Sequence, residues 1–266
     1  MIPDKSVDRD FVIFAHELAD NAGSVILPHF RGAGAVSNKA EQAFDPVTEA
    51  DRAAEQIMRG MIREKYPEHG IHGEEFGDVP SHGPYHWILD PIDGTRSFIL
   101  GLPAWGTLIG LAAQNSPVVG MMDQPYVKER FWGSAAGAFF RSSQGERPIH
   151  TRRCASLSEA VLTATAPDMF KDEETGCFQS ISRQVRMTRF GGDCYLYCLL
   201  AMGLIDIVAE TGLKAFDIAP LIPIIEAAGG IVTAWDGGDP ANGGRVLAVG
   251  DPALHEAAIR ALAGGD

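Results

Sequence analysis

The sequence has few cysteines, and none of them stands in a metal-binding or redox pattern. Only four of the 266 residues are cysteine, at positions 154, 177, 194 and 198. They form no CxxC pair, and no histidine lies at zinc-ligand spacing to them. We therefore expect reduced thiols, and neither a zinc site nor a disulfide framework.

The sequence also lacks long apolar runs. No stretch of 18 consecutive apolar residues is present, so no transmembrane helix is predicted. The first ten residues, MIPDKSVDRD, are polar and acidic, unlike the apolar centre of a secretory signal. These absences predict a cytoplasmic protein that does not associate with membranes.

Positive charge is scarce. Lys and Arg number 22 against 35 Asp and Glu, which gives a formal net charge of −13. An excess of this size disfavours binding to nucleic acids and to anionic lipid surfaces. It fits a protein whose site collects carboxylates in order to bind cations.

The apolar residues that are present follow a helical period at the start of the chain. A stripe of period 3.6 predicts one helix over residues 7–30 and a second over 49–65, with Thr48 as its N-cap. From residue 70 to about 142, short apolar runs separated by Gly, Pro, Asn or Ser predict a mainly antiparallel sheet.

The pattern changes near residues 147–152. Beyond this point predicted strands alternate with helices, which is typical of a layered α/β architecture. Asp217 is expected to cap the helix that starts at FDIAP, and Asp251 to cap the last helix. We therefore expect an N-terminal α+β half, residues 1–148, packed tightly against a C-terminal α/β half, residues 149–266.

Carboxylates adjoin apolar runs or turns at four separate places. Each of them alone has a structural explanation as a turn residue, a helix cap or a solvated strand edge. Together they raise the question of what compensates their mutual repulsion. The six residues are Asp45, Glu74, Glu75, Asp90, Asp93 and Asp217.

A divalent metal is the compensation that the segment WILDPIDGTRSF favours. Its spacing lets the carboxylates of Asp90 and Asp93 converge with the Ile92 carbonyl, while Gly94 allows the turn and the Thr95 hydroxyl can position a water. Mg²⁺ prefers a few such oxygen ligands, completed by waters and substrate phosphate. The segment therefore predicts a Mg²⁺ site and Mg²⁺-dependent activity.

Three motifs carry a resemblance to a known family. GEE, then WILDPIDGTRSF, then FDIAP with its following helix and AGG resemble the inositol monophosphatase superfamily of metal-dependent, lithium-sensitive phosphatases. The resemblance extends from DPVTEAD through IVTAWDG. It implies an alternating α-β-α-β-α sandwich, a homodimer, and two or three Mg²⁺ ions per site.

The same resemblance implies roles for particular residues. Glu74, Asp90, Asp93 and Asp217 look like the metal ligands, together with the Ile92 carbonyl. Asp45 and Thr95 look like the residues that orient the attacking water, and Glu75 resembles an additional acid outside the direct ligands. On this basis we expect the water, held by Thr95 and by Glu74 or Asp45, to attack the phosphate in line without a covalent phosphoenzyme. The backbone N–H groups of Gly94 and Thr95 are expected to donate to the phosphate.

The stretch from Arg189 through Gly238 and the segment DQPYVKERFWG resemble the histidinol-phosphate phosphatase branch of the superfamily. An ammonium group on the substrate favours acids in its pocket, and Asp193 and Glu210 could supply them. A helix cap and a strand-end surface acid are the respective alternatives. Arg189 could face the substrate or a dimer partner, and the sequence does not decide between them.

The sequence thus predicts a Mg²⁺-dependent phosphatase that converts L-histidinol phosphate to L-histidinol in histidine biosynthesis. An inositol-1-phosphate phosphatase or a broad small-molecule phosphatase is the first alternative. A regulatory partner of nucleic-acid machinery is an alternative of another class, which the net charge and the complete set of acids disfavour.

Overall fold

A computed structural model describes residues 5–32, 36–38 and 46–264. The helices within these ranges are α1 (Lys5–Ile26), α2 (Glu49–Lys65), α3 (Thr95–Leu100), α4 (Glu173–Ser182), α5 (Tyr195–Ala201), α6 (Ala215–Ile218), α7 (Ile222–Ala227) and α8 (His255–Leu262). The strands are β1 (Val36–Asn38), β2 (Pro46–Thr48), β3 (Gly70–Gly73), β4 (Gly77–Val79), β5 (Tyr85–Asp93), β6 (Gly106–Ala113), β7 (Ser116–Gln124), β8 (Glu129–Ser134), β9 (Gly137–Ser142), β10 (Gly145–Pro148), β11 (Val161–Ala164), β12 (Met187–Phe190), β13 (Ile207–Lys214), β14 (Ile231–Ala234) and β15 (Gly243–Val249).

The two predicted N-terminal helices are confirmed. α2 begins at the capping box that Thr48 forms with Asp51: the Asp51 N–H donates to Thr48 Oγ1 at 3.3 Å, and the Thr48 N–H donates to Asp51 Oδ2 at 2.8 Å. α1 ends at Ile26, earlier than predicted, and the chain continues in turns. The apolar stripes of both helices are buried against the first sheet.

That first sheet contains eight strands within the described residues, in the order β10-β9-β8-β7-β6-β5-β3-β4. Its pairings are antiparallel except between β3 and β5, which run parallel. In this pairing Gly73 lies opposite Leu89, and the Glu74 N–H donates to the Leu89 carbonyl at 3.2 Å. The residues that follow, Glu74 and Asp90, therefore emerge side by side.

A second sheet occupies the C-terminal part of the chain, with five described strands in the order β12-β11-β13-β15-β14. β11 runs parallel to both of its neighbours, and the other pairings are antiparallel. The alternation of strands and helices predicted for this part is confirmed.

The elements stack in five layers. α1 and α2 cover one face of the eight-stranded sheet. α5 and α7 lie between its other face and the five-stranded sheet, and α4 and α8 cover the far face of the second sheet. This is the α-β-α-β-α sandwich that the resemblance implied.

The helix predicted from FDIAP is two helices, α6 and α7, and Asp217 is not an N-cap. Lys214 occupies the cap position, and Asp217 Oδ2 accepts the Lys214 N–H at 2.7 Å from the third position of α6. Pro220 separates the helices because it has no N–H with which to continue the first one. A Cβ on Gly120 would overlap the Pro220 carbonyl oxygen, so glycine in β7 lets this junction approach the sheet closely.

None of the helices in the described ranges combines the length and apolar character that a membrane crossing requires.

Candidate active site

Three acids from distant parts of the chain meet at the end of β5. Asp90 and Asp93 are supplied by β5 itself, and Asp217 by α6. One carboxylate oxygen from each of them can be chosen so that all three oxygens lie within 4.8 Å of one another. The cluster exists because α6 packs against the same end of β5.

Repulsion within this cluster raises the pKa values of its members. Burial is the main cause for Asp90, whose pKa is raised well above the ordinary value, and the charges of Glu74, Asp93 and Asp217 add to it. Glu74 also forms a hydrogen bond with Asp90. Hence Glu74, which follows β3, belongs to the same electrostatic group.

The other two aspartates are affected in the same direction. Burial and the charges of Asp217 and Asp193 raise the pKa of Asp93, although the Cys194 N–H donates to its Oδ2 at 2.8 Å. Burial raises the pKa of Asp217 to about 7, and the charges of Glu74 and Glu210 contribute. Within the described residues, the N–H and the charge of Lys214 lower the pKa of Asp217, but they do not offset the effect of burial.

A hard divalent cation fits these residues. Asp90 is 2% exposed, and its Oδ1 is buried with no hydrogen-bond partner among the described residues. An orphaned buried carboxylate oxygen is costly unless a ligand engages it. Oxygen donors are also what Mg²⁺ prefers, so both the chemistry and the geometry of the cluster suit it.

The turn after β5 has a shape that only glycine allows. Gly94 has φ = 83°, and a Cβ there would lie 2.9 Å from the Cβ of Asp193. Beyond it, Thr95 Oγ1 donates to the Ile92 carbonyl at 3.1 Å. The glycine thus lets the first turn of α3 pack against Asp193.

A buried ion pair on α2 holds the acidic turn after β3. Glu55 is completely buried and accepts hydrogen bonds from the N–H groups of Glu75, at 2.7 Å, and Phe76, at 3.2 Å. It also accepts from Arg59 Nε at 2.6 Å, and Arg59 donates in turn to the Gly77 carbonyl. The sequence analysis did not identify this pair, although its i, i+4 spacing beside the apolar stripe of α2 is a readable signal.

A cleft leads away from the cluster. An inner cavity of about 110 Å³ is lined by Asp93, Thr165, Met169, Asp193, Cys194, Tyr197, Glu210, Leu213 and Asp217. An outer cavity of about 420 Å³ is lined by Gly94, Thr95, Arg96, Thr165, Ala166, Asp168, Met169, Lys171, Asp193, Thr211, Gly212 and Leu213. The two cavities lie side by side, because Thr165, Met169, Asp193 and Leu213 line both of them.

Asp193 and Glu210, predicted from sequence, both line this cleft. Asp193 has a left-handed backbone, φ = 45°, and its Oδ2 accepts a hydrogen bond from Ser97 Oγ at 2.6 Å. Burial raises the pKa of Asp193, while the hydroxyl of Ser97 and the charge of Arg96 lower it. A non-glycine residue held in this conformation marks a place where the fold accepts strain.

Glu210 is more enclosed than Asp193. It is 2% exposed, and its oxygens accept the Thr165 N–H at 2.5 Å and the Tyr197 hydroxyl at 2.9 Å. Burial raises its pKa above the ordinary value. The strand-end surface acid considered from sequence is therefore not what the structure shows.

Two further predicted residues, Arg189 and Glu75, are not among the three carboxylates that meet at the end of β5. Arg189 is exposed on the edge strand β12, and lines neither the inner nor the outer cavity as described. Glu75 lies within the acidic turn after β3; its side chain is 2% exposed, and Oε2 is 3.9 Å from Arg52 Nε. Asp45 lies outside the described residues.

Several cleft residues were not identified from sequence. The backbone of Cys194 holds Asp93, and the hydroxyls of Ser97 and Tyr197 hold Asp193 and Glu210. Each of these contacts joins residues far apart in the chain or uses a main-chain atom, so spacing alone carried no signal for them.

The chain matches a known family over almost its whole length. The model of the inositol monophosphatase family covers residues 8–264. The chloroplastic bifunctional phosphatase IMPL2 of Arabidopsis thaliana is 39% identical over 272 residues, which cover 98% of this chain and 77% of IMPL2. A histidinol-phosphatase of Streptomyces coelicolor is 35% identical over 248 residues, covering 90% of this chain and 92% of that protein.

Among solved structures, an inositol monophosphatase from Zymomonas mobilis has the same fold. It is 42% identical and superposes with a TM-score of 0.85, covering 96% of this chain and 98% of that one. The comparisons thus agree with the layered architecture.

Proposed function

Since the chain belongs to the inositol monophosphatase family, we propose that it is a Mg²⁺-dependent phosphatase that hydrolyses L-histidinol phosphate to L-histidinol, a step of histidine biosynthesis. Phosphatase chemistry is that of the family. The metal, the site residues and the substrate are the proposal, and the cleft and its electrostatics support them.

Glu74, Asp90, Asp93 and Asp217, with the Ile92 carbonyl, would hold two or three Mg²⁺ ions. Bound there, Mg²⁺ would neutralise phosphate charge and make water a stronger nucleophile. The raised pKa values of Asp90, Asp93 and Asp217 support this assignment, because the cluster favours an added positive charge.

The neighbouring residues would orient the reactants. The backbone N–H groups of Gly94 and Thr95 would donate to phosphate oxygens, because the turn at Gly94 leaves them beside the cleft. The Thr95 hydroxyl, Glu74 and Asp45 would orient the attacking water, while Glu75 lies outside the direct ligands. No residue needs to form a covalent phosphoenzyme.

The substrate assignment is carried by the acids of the inner cavity. Asp193 and Glu210 lie in the same small space as Asp93 and Asp217. The ammonium group of histidinol phosphate can form charge-assisted hydrogen bonds with them, whereas inositol phosphate offers only hydroxyls. Replacing Asp193 with Asn should therefore raise KM for histidinol phosphate more than for inositol 1-phosphate, and equal effects would reject the assignment.

Inositol 1-phosphate is the second candidate. The Zymomonas structure is that of an inositol monophosphatase, and IMPL2 is named as bifunctional. Because the residues that would bind the phosphate do not contact the alcohol part of the ester, they are compatible with both substrates.

A direct comparison of substrates tests the proposal. Phosphate release with Mg²⁺ is measured from L-histidinol phosphate, inositol 1-phosphate and adenosine 3′,5′-bisphosphate. We expect the highest kcat/KM with histidinol phosphate and no turnover in EDTA. A higher kcat/KM with either of the other two would overturn the substrate assignment, and turnover that is unchanged in EDTA would overturn the metal.

A further inference from the structure

The inner cavity is too small for a whole substrate. Its volume is about 110 Å³, below the roughly 300–1,000 Å³ of typical ligand sites. The outer cavity of about 420 Å³ adjoins it, since Thr165, Met169, Asp193 and Leu213 line both cavities. The alcohol part of a phosphate ester must therefore extend into the outer cavity.

The chemistry of histidinol phosphate fixes the order in which its groups would occupy this cleft. The ammonium is on the carbon next to the ester methylene, and the imidazole ring is one methylene further away. With the phosphate at Gly94 and Thr95, the ammonium reaches Asp193, which packs against Gly94. The ring then falls in the outer cavity.

Among the described residues, two carboxylates line the outer cavity, and they differ in their hydrogen-bond and charge partners. Asp193 is engaged by the Ser97 hydroxyl and by the charge of Arg96. The carboxylate of Asp168, by contrast, is exposed and forms no hydrogen bond or ion pair with another residue in the described ranges. The other charged side chains of the cavity, Arg96 and Lys171, can only donate hydrogen bonds.

The turn that carries Asp168 is anchored at both ends. Before it, the Thr165 N–H is bonded to Glu210 at 2.5 Å. After it, the Phe170 ring stacks on Phe178 with 4.2 Å between centroids, and the Phe170 carbonyl accepts from Thr175 Oγ1 at 3.1 Å. The turn is therefore fixed by Glu210 at its start and by the hydrophobic core at its end.

We infer that Asp168 is a specificity-determining residue that accepts a hydrogen bond from the imidazole N–H of the substrate. Neutral imidazole presents one N–H donor and one acceptor nitrogen, and a carboxylate is the strong partner for the donor. Met169, beside it in the cavity, offers a thioether suited to contact with an aromatic ring. This inference rests on the proposed function, since it assumes a substrate with an imidazole ring.

The test compares Asp168→Asn with the unchanged protein on two substrates. L-Histidinol phosphate has both the ammonium and the ring, whereas L-alaninol phosphate keeps the phosphate and the ammonium but carries a methyl group instead of the ring. We expect KM for histidinol phosphate to rise about 3- to 10-fold, the range of one typical hydrogen bond, because Asn keeps an acceptor oxygen but loses the charge. KM for alaninol phosphate, and kcat for both substrates, should stay unchanged because Asp168 lies away from the reacting atoms.

Asp172→Asn is the matched control. Asp172 follows the same turn and is exposed, but it does not line the described cavity, and Asn has nearly the same size and shape as the Asp that already adopts φ = 47°. It should change neither KM. Equal shifts on both substrates in Asp168→Asn, or none on either, would overturn the role of Asp168 while leaving the phosphatase assignment intact. If the unchanged protein prefers inositol 1-phosphate over histidinol phosphate, both the proposed function and this inference are wrong.

Discussion

Ser97 and Asp193, which are 96 positions apart, share a hydrogen bond of 2.6 Å between the Ser97 hydroxyl and Asp193 Oδ2. The bond ties the first turn of α3, directly after Gly94, to an acid that lines both cavities of the cleft. It leaves the other oxygen of Asp193 for the cleft. The left-handed backbone of Asp193 shows that the fold holds this residue against its local preference.

Removing this bond should weaken recognition of the amine. We expect Ser97→Ala to raise KM for histidinol phosphate about 3- to 10-fold, the range of one typical hydrogen bond, because Asp193 loses the hydroxyl that positions it. KM for inositol 1-phosphate should change less than twofold, and Ser97→Thr should restore the original value by returning the hydroxyl. Steady-state kinetics on both substrates check this, and a parallel rise in both KM values would show that Ser97 has only a structural role.

Neutralising Asp90 should separate function from stability. We expect Asp90→Asn to lower Mg²⁺-dependent turnover by at least about 100-fold, since several kcal/mol of charge stabilisation depend on the metal. In EDTA at pH 8 the same variant should be more stable than the unchanged protein by about 1 kcal/mol or more, because a repelling buried carboxylate is gone.

Phosphate release and urea unfolding measure the two effects of Asp90→Asn. Asp236→Asn, which changes an exposed acid in a turn, is the control and should leave both unchanged. Full activity in Asp90→Asn would contradict its role as a ligand.

Breaking the buried pair on α2 should destabilise the protein strongly. Arg59→Met leaves the charge of Glu55 buried without its partner, and such changes cost about 3–5 kcal/mol. The exposed pair Arg260–Glu256 has the same i, i+4 spacing, so Arg260→Met is a matched control that should cost less than about 1 kcal/mol. Urea unfolding measures both free energies, and similar losses would mean that the burial of Glu55 does not matter.

The stabilising effect of Mg²⁺ should increase with pH. The pKa of Asp217 is raised to about 7 in the folded protein, and those of Asp90 and Asp93 are raised as well. Between the ordinary aspartate value and pH 7 the folded state therefore binds more protons than the unfolded state. Metal-free protein should lose about 1.4 kcal/mol of stability per pH unit for each such group as pH rises.

Because a cation binds the ionised carboxylates, it should reverse this loss at high pH. Melting temperatures in EDTA and in MgCl₂ from pH 5 to 8 test the expectation: the difference should be small at pH 5 and large at pH 8. Burial lowers the pKa of His16 to about 4, so the folded protein becomes less stable as pH falls below the ordinary histidine value. This loss is the same in EDTA and in MgCl₂, and it cancels in the difference between the two melting temperatures. A difference that is independent of pH would contradict the prediction.

Elements with a strong local pattern were predictable, and those without one were not. The positions of α1, α2 and the central strands could be predicted, because burial of one face imposes a regular spacing of apolar residues on each element. β12 is a four-residue edge strand with no fully buried residue, and α4 has only Phe178 and Ile181 buried, so neither has a clear period. The break between α6 and α7 was missed because the apolar pattern continues across Pro220.

The sequence by itself determined the chemistry of the chain: the acidic excess, the oxygen donors of DPIDGT, and the alternation that produces a layered fold. These features follow from the composition of the chain and from the spacing of residues within short segments. Only the tertiary structure decided that Asp217 and Glu74 reach the end of β5, and that Ser97 and Tyr197 form hydrogen bonds with Asp193 and Glu210. It also decided that the Asp168 carboxylate lines the cleft without a hydrogen bond to another described residue. Such relationships depend on how one layer packs on the next. That packing is stabilised by contacts between residues that are far apart in the chain.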